Sequence, residues 1–351
     1  NEVQCLDDIE EISERIITSV ALPFYINNQE VYSGASIGVV QSNDSYLSAD
    51  DLLRDADAAM YQAKNMGRGR FIVFDETMHQ RLMDDLTVEQ ALHKVVKSQL
   101  ISPEYNPLYN IHSGEILGSE AQVYWQHPLL RKELGDIEAA QLIELARNNG
   151  VIIQIDQLML QQICQQMKPE GRLADVGLVS IHVSSMHLSQ SKSLQQLLAI
   201  VKAAGIDAHK LCFAFEEACL LSLIEANANE VSLSGFKRIK NSGISIAIQG
   251  FGAGLSSLGL LTQNNIDYVK TDPSFTRSLL KNDRNKALLQ TLMTLSGTFN
   301  FKVILDGIDS EALQQLADEH QVLIGAGKYF VQRAAEKLAA SPPKLTLHNF
   351  G

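Results

Sequence analysis

From Ile116 to Ile324 the sequence alternates short, mostly uncharged apolar runs with longer segments of helical period. That alternation limits the fold more than any other feature. Strands are expected at Val176–Val183, Leu211–Phe215, Ile244–Ile248, Tyr268–Thr271, Val303–Asp306 and Val322–Ile324. Helices are expected at Ile137–Asn148, Ile155–Met167, Ser191–Ala204, Ala226–Ser242, Lys286–Phe299 and Ser310–His320. Gly150, Pro169 with Gly171, Gly205 and Gly243 supply the breaks. Strands rich in β-favouring residues, each followed by a helix, predict an α/β fold closed into a parallel (β/α)8, TIM-like barrel. Chemistry in such barrels gathers where the strands end, at the C-terminal rim.

The stretch Gly114–Pro128, GEILGSEAQVYWQHP, reads as a buried strand interrupted by one acid, Glu120. A carboxylate inside a strand is costly unless it is paired, protonated or holding a metal; at a strand mouth it is simply solvated. Both readings of Glu120 stay open on this argument. Net charge is −12, which disfavours a general binder of nucleic acid or anionic membrane. Cys5, Cys164, Cys212 and Cys219 have neither CxxC nor metal-finger spacing, so a reduced, cytoplasmic chain is expected. No apolar run approaches the roughly 18 residues of a membrane span, and no signal peptide is seen; a longer parent could still be anchored upstream.

Before the barrel, an acidic helix with Ile9, Ile12, Ile16, Ile17 and Val20 on one face is followed by a hairpin signal at Asn27-Asn28. A short strand at Ser36–Val40 leads to a helix capped by Ser48, with Asp50 and Asp51 in its first turn and Gly67 and Gly69 beyond its end. Phe71–Phe74 returns as a strand. The expected organisation is residues 1–76 as one domain, 77–99 as a connecting helix, 100–340 as the barrel and 341–351 as a tail.

Two resemblances follow from the motifs. Ala35–Val39 (ASIGV) and Ala56–Arg68 (ADAAMYQAKNMGR) resemble the C-terminal part of a GGDEF, or diguanylate cyclase, domain. The GG[DE]EF hairpin and the metal Asp of that family do not occur in these residues, so no cyclase site is implied; Lys64 and Arg68 read as solvated cations at a helix end. Tyr105–Leu108 (YNPL) followed by GSEAQVYWQHP resembles the EAL family of cyclic-di-GMP phosphodiesterases, and the resemblance runs over about residues 100–335. That family's activity is metal-assisted: carboxylates and one Asn hold two divalent ions that activate water for attack on a phosphodiester.

Position by position, the resemblance implies an altered rim. Glu120 matches, as do Lys270 and Asp272 in YVKTD; Asp306 and Asp309 match as shorter acids, and Glu217 matches a second acid, with Glu216 expected on the opposite face. The metal-ligand positions read His182 for Asn, Ala214 for Glu, and Gln249 and Gly250 for two Asp. Ligand-contacting positions read Asn106, Gln122, Tyr124 and Ala326. His182 is either a transition-metal ligand or a hydrogen-bonded core residue. Glu120, Lys270 and Asp272 are expected to survive as a residual ion-pair network, with Asp306 a further vestige of the catalytic set. Three missing carboxylates leave too few hard donors for two ions. The expectations are therefore no metal, no cofactor, no enzyme, and weak or absent cyclic-di-GMP binding. Function is expected as a regulatory module binding a protein partner, in the manner of the degenerate FimX-type or CsrD-type branches. A cyclic-di-GMP sensor and an adaptor for small-RNA turnover are the alternatives. The Phe251-Gly252-Ala253-Gly254 loop, retained without its acids, implies a homodimer through the EAL domain. RNA contact gains no support from the acidic charge.

Overall fold

The computed structural model describes residues 6–26, 29–31, 33–42, 46, 48–65, 69–75, 88–124, 139–225, 229–254, 258–261 and 266–332. The Asn27-Asn28 turn, Gly67, Arg68, Trp125–Pro128, Ser256-Ser257, residues 76–87 of the connecting segment and the tail lie outside these. The chain divides into two compact units, residues 1–94 with 133–149, and residues 95–132 with 150–351.

In the first unit, helix Leu6–Ala21 precedes an antiparallel pair, β1 (Phe24–Ile26) and β2 (Gln29–Val31). Strands β3 (Ile37–Val39) and β4 (Phe71–Val73) run parallel, joined through helix Ala49–Asn65. The Asp51 amide donates to Ser48 Oγ at 3.3 Å, the predicted cap. A Cβ on Gly38 would sit 1.9 Å from the Ala56 carbonyl, so this close strand–helix crossing requires glycine. Ala59 and Ala63 are fully buried in the same unit.

The second unit is a closed eight-stranded barrel in the order β10-β11-β12-β5-β6-β7-β8-β9. Its strands are β5 (Ser102–Asn110), β6 (Ile116–Tyr124), β7 (Leu178–His182), β8 (Leu211–Glu216), β9 (Ser245–Phe251), β10 (Tyr268–Thr271), β11 (Lys302–Asp306) and β12 (Ile324–Ala326). Six of them follow the sequence reading closely, and β12 lies two residues beyond the expected Val322–Ile324. The departure is β5. It runs antiparallel to both β6 and β12, so the barrel is not wholly parallel. A short turn at residues 111–115 joins β5 to β6, and a connection that short can make only an antiparallel pair. Pro103, Pro107 and polar residues in SPEYNPLYN hid this strand from the pattern. Helix Glu217–Glu225, directly after β8, was also not anticipated.

The strands are buried on both faces, as expected of barrel strands covered by helices. Outward, Val179, Ile181, Phe213, Phe215, Ile246 and Ile248 are at most 1% exposed. Inward, Leu108, Ile304, Ile324 and Ala326 form one apolar cluster, and Cys212, Ala214 and Ala247 form another, with Tyr268 and Leu178 packed on it. These clusters plug the barrel below its rim. Among the described residues no helix is long and apolar enough to cross a membrane.

Candidate functional site

Each strand delivers side chains alternately inward and outward, so every second residue near a strand's C-terminal end reaches the rim. From β6 these are Glu120 and Gln122; from β9, Gln249; from β10, Lys270; from β11, Asp306. They line an open cleft of about 350 Å³, together with Glu216, Glu217, Gly250, Thr271 and Asp272.

Lys270 is the centre of this cleft. Its Nζ lies 2.7 Å from both Glu120 oxygens and 2.8 Å from Asp306 Oδ2. The Lys270 and Glu120 side chains are 11% and 8% exposed, so these are buried ion pairs. Burial by itself would lower the lysine's pKa, but the Glu120 and Asp306 carboxylates outweigh it and hold the ammonium above its usual 10.5. Asp306 is fixed from its other side: its Oδ1 accepts the Gly307 amide at 2.8 Å, and its own amide donates to Thr271 Oγ1 at 3.1 Å. Gln122 Nε2 donates to Glu120 Oε2 at 3.3 Å.

Asp272 is present in the cleft wall but outside this ion-pair group. It caps helix Pro273–Ser278, its Oδ1 accepting from the Ser274 amide at 2.7 Å. Gln249 and His182, two positions where the resemblance implied metal ligands, bond to each other, Nε2 to Nδ1 at 2.5 Å. The free edge of His182 is 4.0 Å from Glu216 Oε1, and Cys219 Sγ donates to Glu216 Oε2 at 3.2 Å. Glu216 therefore belongs to the rim, against the expectation that it faces away. Along β8 the alternation that turns Cys212 and Ala214 inward turns Glu216 inward as well, in register with Gln249. Its even spacing from Ala214, a position where the resemblance implies an ion ligand, is the signal in the sequence.

The remaining positions are dispersed. Ala214 is 2% exposed in the apolar layer beneath the rim, and Ala326 lies in the other apolar cluster. Neither lines the cleft. Asn106 pairs in register with Glu120 across β5 and β6 and is exposed; Tyr124, at the end of β6, is 36% exposed. Gly250 has φ +79° and open space where a Cβ would be.

The donor set does not fit two divalent ions. Glu120 and Asp306 are engaged by Lys270, Ala214 and Gly250 offer no side-chain oxygen, and Gln249 is turned to His182. Among the described residues no three His, Cys, Asp or Glu side chains are placed to share a metal ion. Of the other acids lining the cleft, Asp272 accepts from Ser274 and Glu216 from Cys219, so these carboxylates too are engaged by the protein.

Residues 88–333 match the model of the EAL domain, and residues 1–70 match that of the diguanylate cyclase, GGDEF domain. The chain belongs to the EAL domain family. It is 28% identical over 305 residues to cyclic di-GMP phosphodiesterase PdeR of Escherichia coli K12, covering 86% of this chain and 44% of the relative. It is 26% identical over 310 residues to the bifunctional diguanylate cyclase/cyclic di-GMP phosphodiesterase MucR of Pseudomonas aeruginosa, covering 88% and 44%. The solved phosphodiesterase PaMucR, in complex with c-di-GMP, superposes with a TM-score of 0.61 at 24% identity, covering 72% of this chain and 99% of that one. The chain thus spans less than half the length of these curated relatives.

Two expectations are corrected by these findings. The reading of the chain as no enzyme is overturned by relatives that carry the name of phosphodiesterase. The reading that cyclic di-GMP is an improbable ligand is overturned by a structural neighbour solved with that ligand. Both expectations rested on counting substituted positions, and such a count does not measure what the rest of a rim can still do.

Proposed function

We propose that this EAL domain is a cyclic di-GMP signalling module that takes the dinucleotide at the rim cleft and presents its occupied state to a protein partner. The observation that carries the reading is the cleft itself. It sits at the C-terminal ends of the barrel strands, where this architecture places its ligands, and is built around Lys270. The amides of Gln122 and Gln249 supply neutral donors and acceptors for phosphate or base edges beside it. The fold shared with an EAL structure holding c-di-GMP supports the same choice. We read His182, Ala214, Gln249 and Gly250, where the resemblance implies ion ligands, as a changed ion-ligand set. We place the domain boundaries at residues 1–76, 77–99, 100–340 and 341–351.

Calorimetric titration of the whole chain with cyclic di-GMP tests the reading. A saturable one-site isotherm, weakened by Q122A, is expected. Absence of heat at millimolar dinucleotide refutes it. Chromatography of the same samples for the linear dinucleotide reads turnover.

A further inference from the structure

We infer that the Lys270 ammonium is the resident cation of this rim, occupying the place between Glu120 and Asp306 that would otherwise draw a divalent ion. The geometry is specific. One nitrogen lies 2.7 Å from each oxygen of Glu120 and 2.8 Å from Asp306 Oδ2, which uses all three of its donors on carboxylates. Two acids facing each other across a barrel wall repel unless a cation sits between them. Here the cation is covalently attached to β10 and lies within hydrogen-bond distance of both.

The positions where the resemblance implies further ion ligands bring no carboxylate of their own. Ala214 fills its position with a methyl group inside an apolar layer, where a carboxylate would be buried without a partner. Gly250 brings no side chain to the cleft. Gln249, neutral, is turned to His182 Nδ1. The residual acids have protein partners as well: Asp272 accepts from Ser274, and Glu216 from Cys219. A divalent ion entering between Glu120 and Asp306 would first have to displace the ammonium.

The test uses manganese alone, so its outcome is separate from that of the dinucleotide reading. The whole 351-residue chain is titrated with MnCl2 at fixed ionic strength, and free Mn²⁺ is followed by electron paramagnetic resonance. The parent chain is expected to leave the free-ion signal unchanged, and its melting temperature is expected to be the same in MnCl2 as in chelator. K270M unmasks the Glu120–Asp306 pair, and its affinity for Mn²⁺ is expected to rise by at least about tenfold, because the local charge falls by one unit. K270R, which keeps the cation, should behave as the parent. If K270M does not fold, K270Q replaces it, since its amide can still donate to Glu120. Uptake of two Mn²⁺ ions by the parent overturns the inference. So does a folded K270M or K270Q that binds the ion no better than the parent. If neither variant folds, the parent titration alone decides.

Discussion

Replacing Lys270 with methionine tests the electrostatics of the rim through stability. The variant keeps most of the stem volume and deletes the charge, leaving Glu120 and Asp306 facing each other. Removing one partner from a buried ion pair costs about 3–5 kcal/mol, because a desolvated charge loses its compensation. The two acids do not share the loss equally. The Asp306 side chain is 23% exposed, so water recovers part of its hydration, and the Gly307 amide still serves its second oxygen. Glu120 is 8% exposed and keeps only the long contact from Gln122. We therefore expect about 3 kcal/mol, at the lower end of that range. For a domain of this size such a loss lowers the melting temperature by roughly 6–12 °C. Urea denaturation of the parent, K270M, E120Q and the E120Q/K270M pair provides the double-mutant cycle. The double variant should recover more than half of the K270M loss, because the stranded carboxylate is gone. A K270M loss below about 1 kcal/mol, or a double variant no more stable than K270M, would refute the reasoning.

Alkali acts on the same groups. The Lys270 pKa is raised by its carboxylates over the opposing effect of burial, so its stabilisation is complete below the unfolded value of 10.5 and is lost as pH rises through the folded value. Tyr105 behaves alike: burial, opposed by Arg172, pushes its phenol up to about 12, so its contribution fades between about pH 10 and 12. The urea midpoint should fall across that window, and more steeply for the parent than for K270M. In the cleft, five carboxylates face one ammonium, so a dianionic ligand meets repulsion that salt screens. Cyclic di-GMP affinity measured by calorimetry should therefore rise, by roughly twofold to fivefold, between 50 and 300 mM NaCl. A214E should lower the melting temperature markedly, since it buries an unpaired carboxylate among Cys212, Ala247 and Tyr268. G250D should cost only about 1–2 kcal/mol for its left-handed backbone, because its side chain meets open space. Finally, Asp156 accepts from the Ser184 amide at 2.8 Å and contacts the fully buried His187 at 3.1 Å, and Ser193 Oγ is 2.6 Å from that imidazole's other nitrogen. D156A should cost about 2–4 kcal/mol in urea denaturation and leave dinucleotide affinity unchanged, because none of these side chains lines the cleft.

Much of this molecule is decided by local physics that a sequence displays directly. Apolar runs of strand length, helical spacing, the Ser48 cap and the breaks at Gly205 and Gly243 act within a few residues of themselves, and they place most elements of the two units. β5 escaped because its prolines and polar residues imitate a loop, and its pairing with β6 and β12 becomes visible only once the barrel closes. Glu120, Lys270 and Asp306 can each be picked out along the chain, yet Glu120 and Lys270 stand 150 residues apart, and only closure brings their charges within 2.7 Å. The orientation of Gln249 toward His182 follows from where two strands end in space. A side chain's chemical type is written in the sequence; its partner depends on how distant strands are stacked around a common axis.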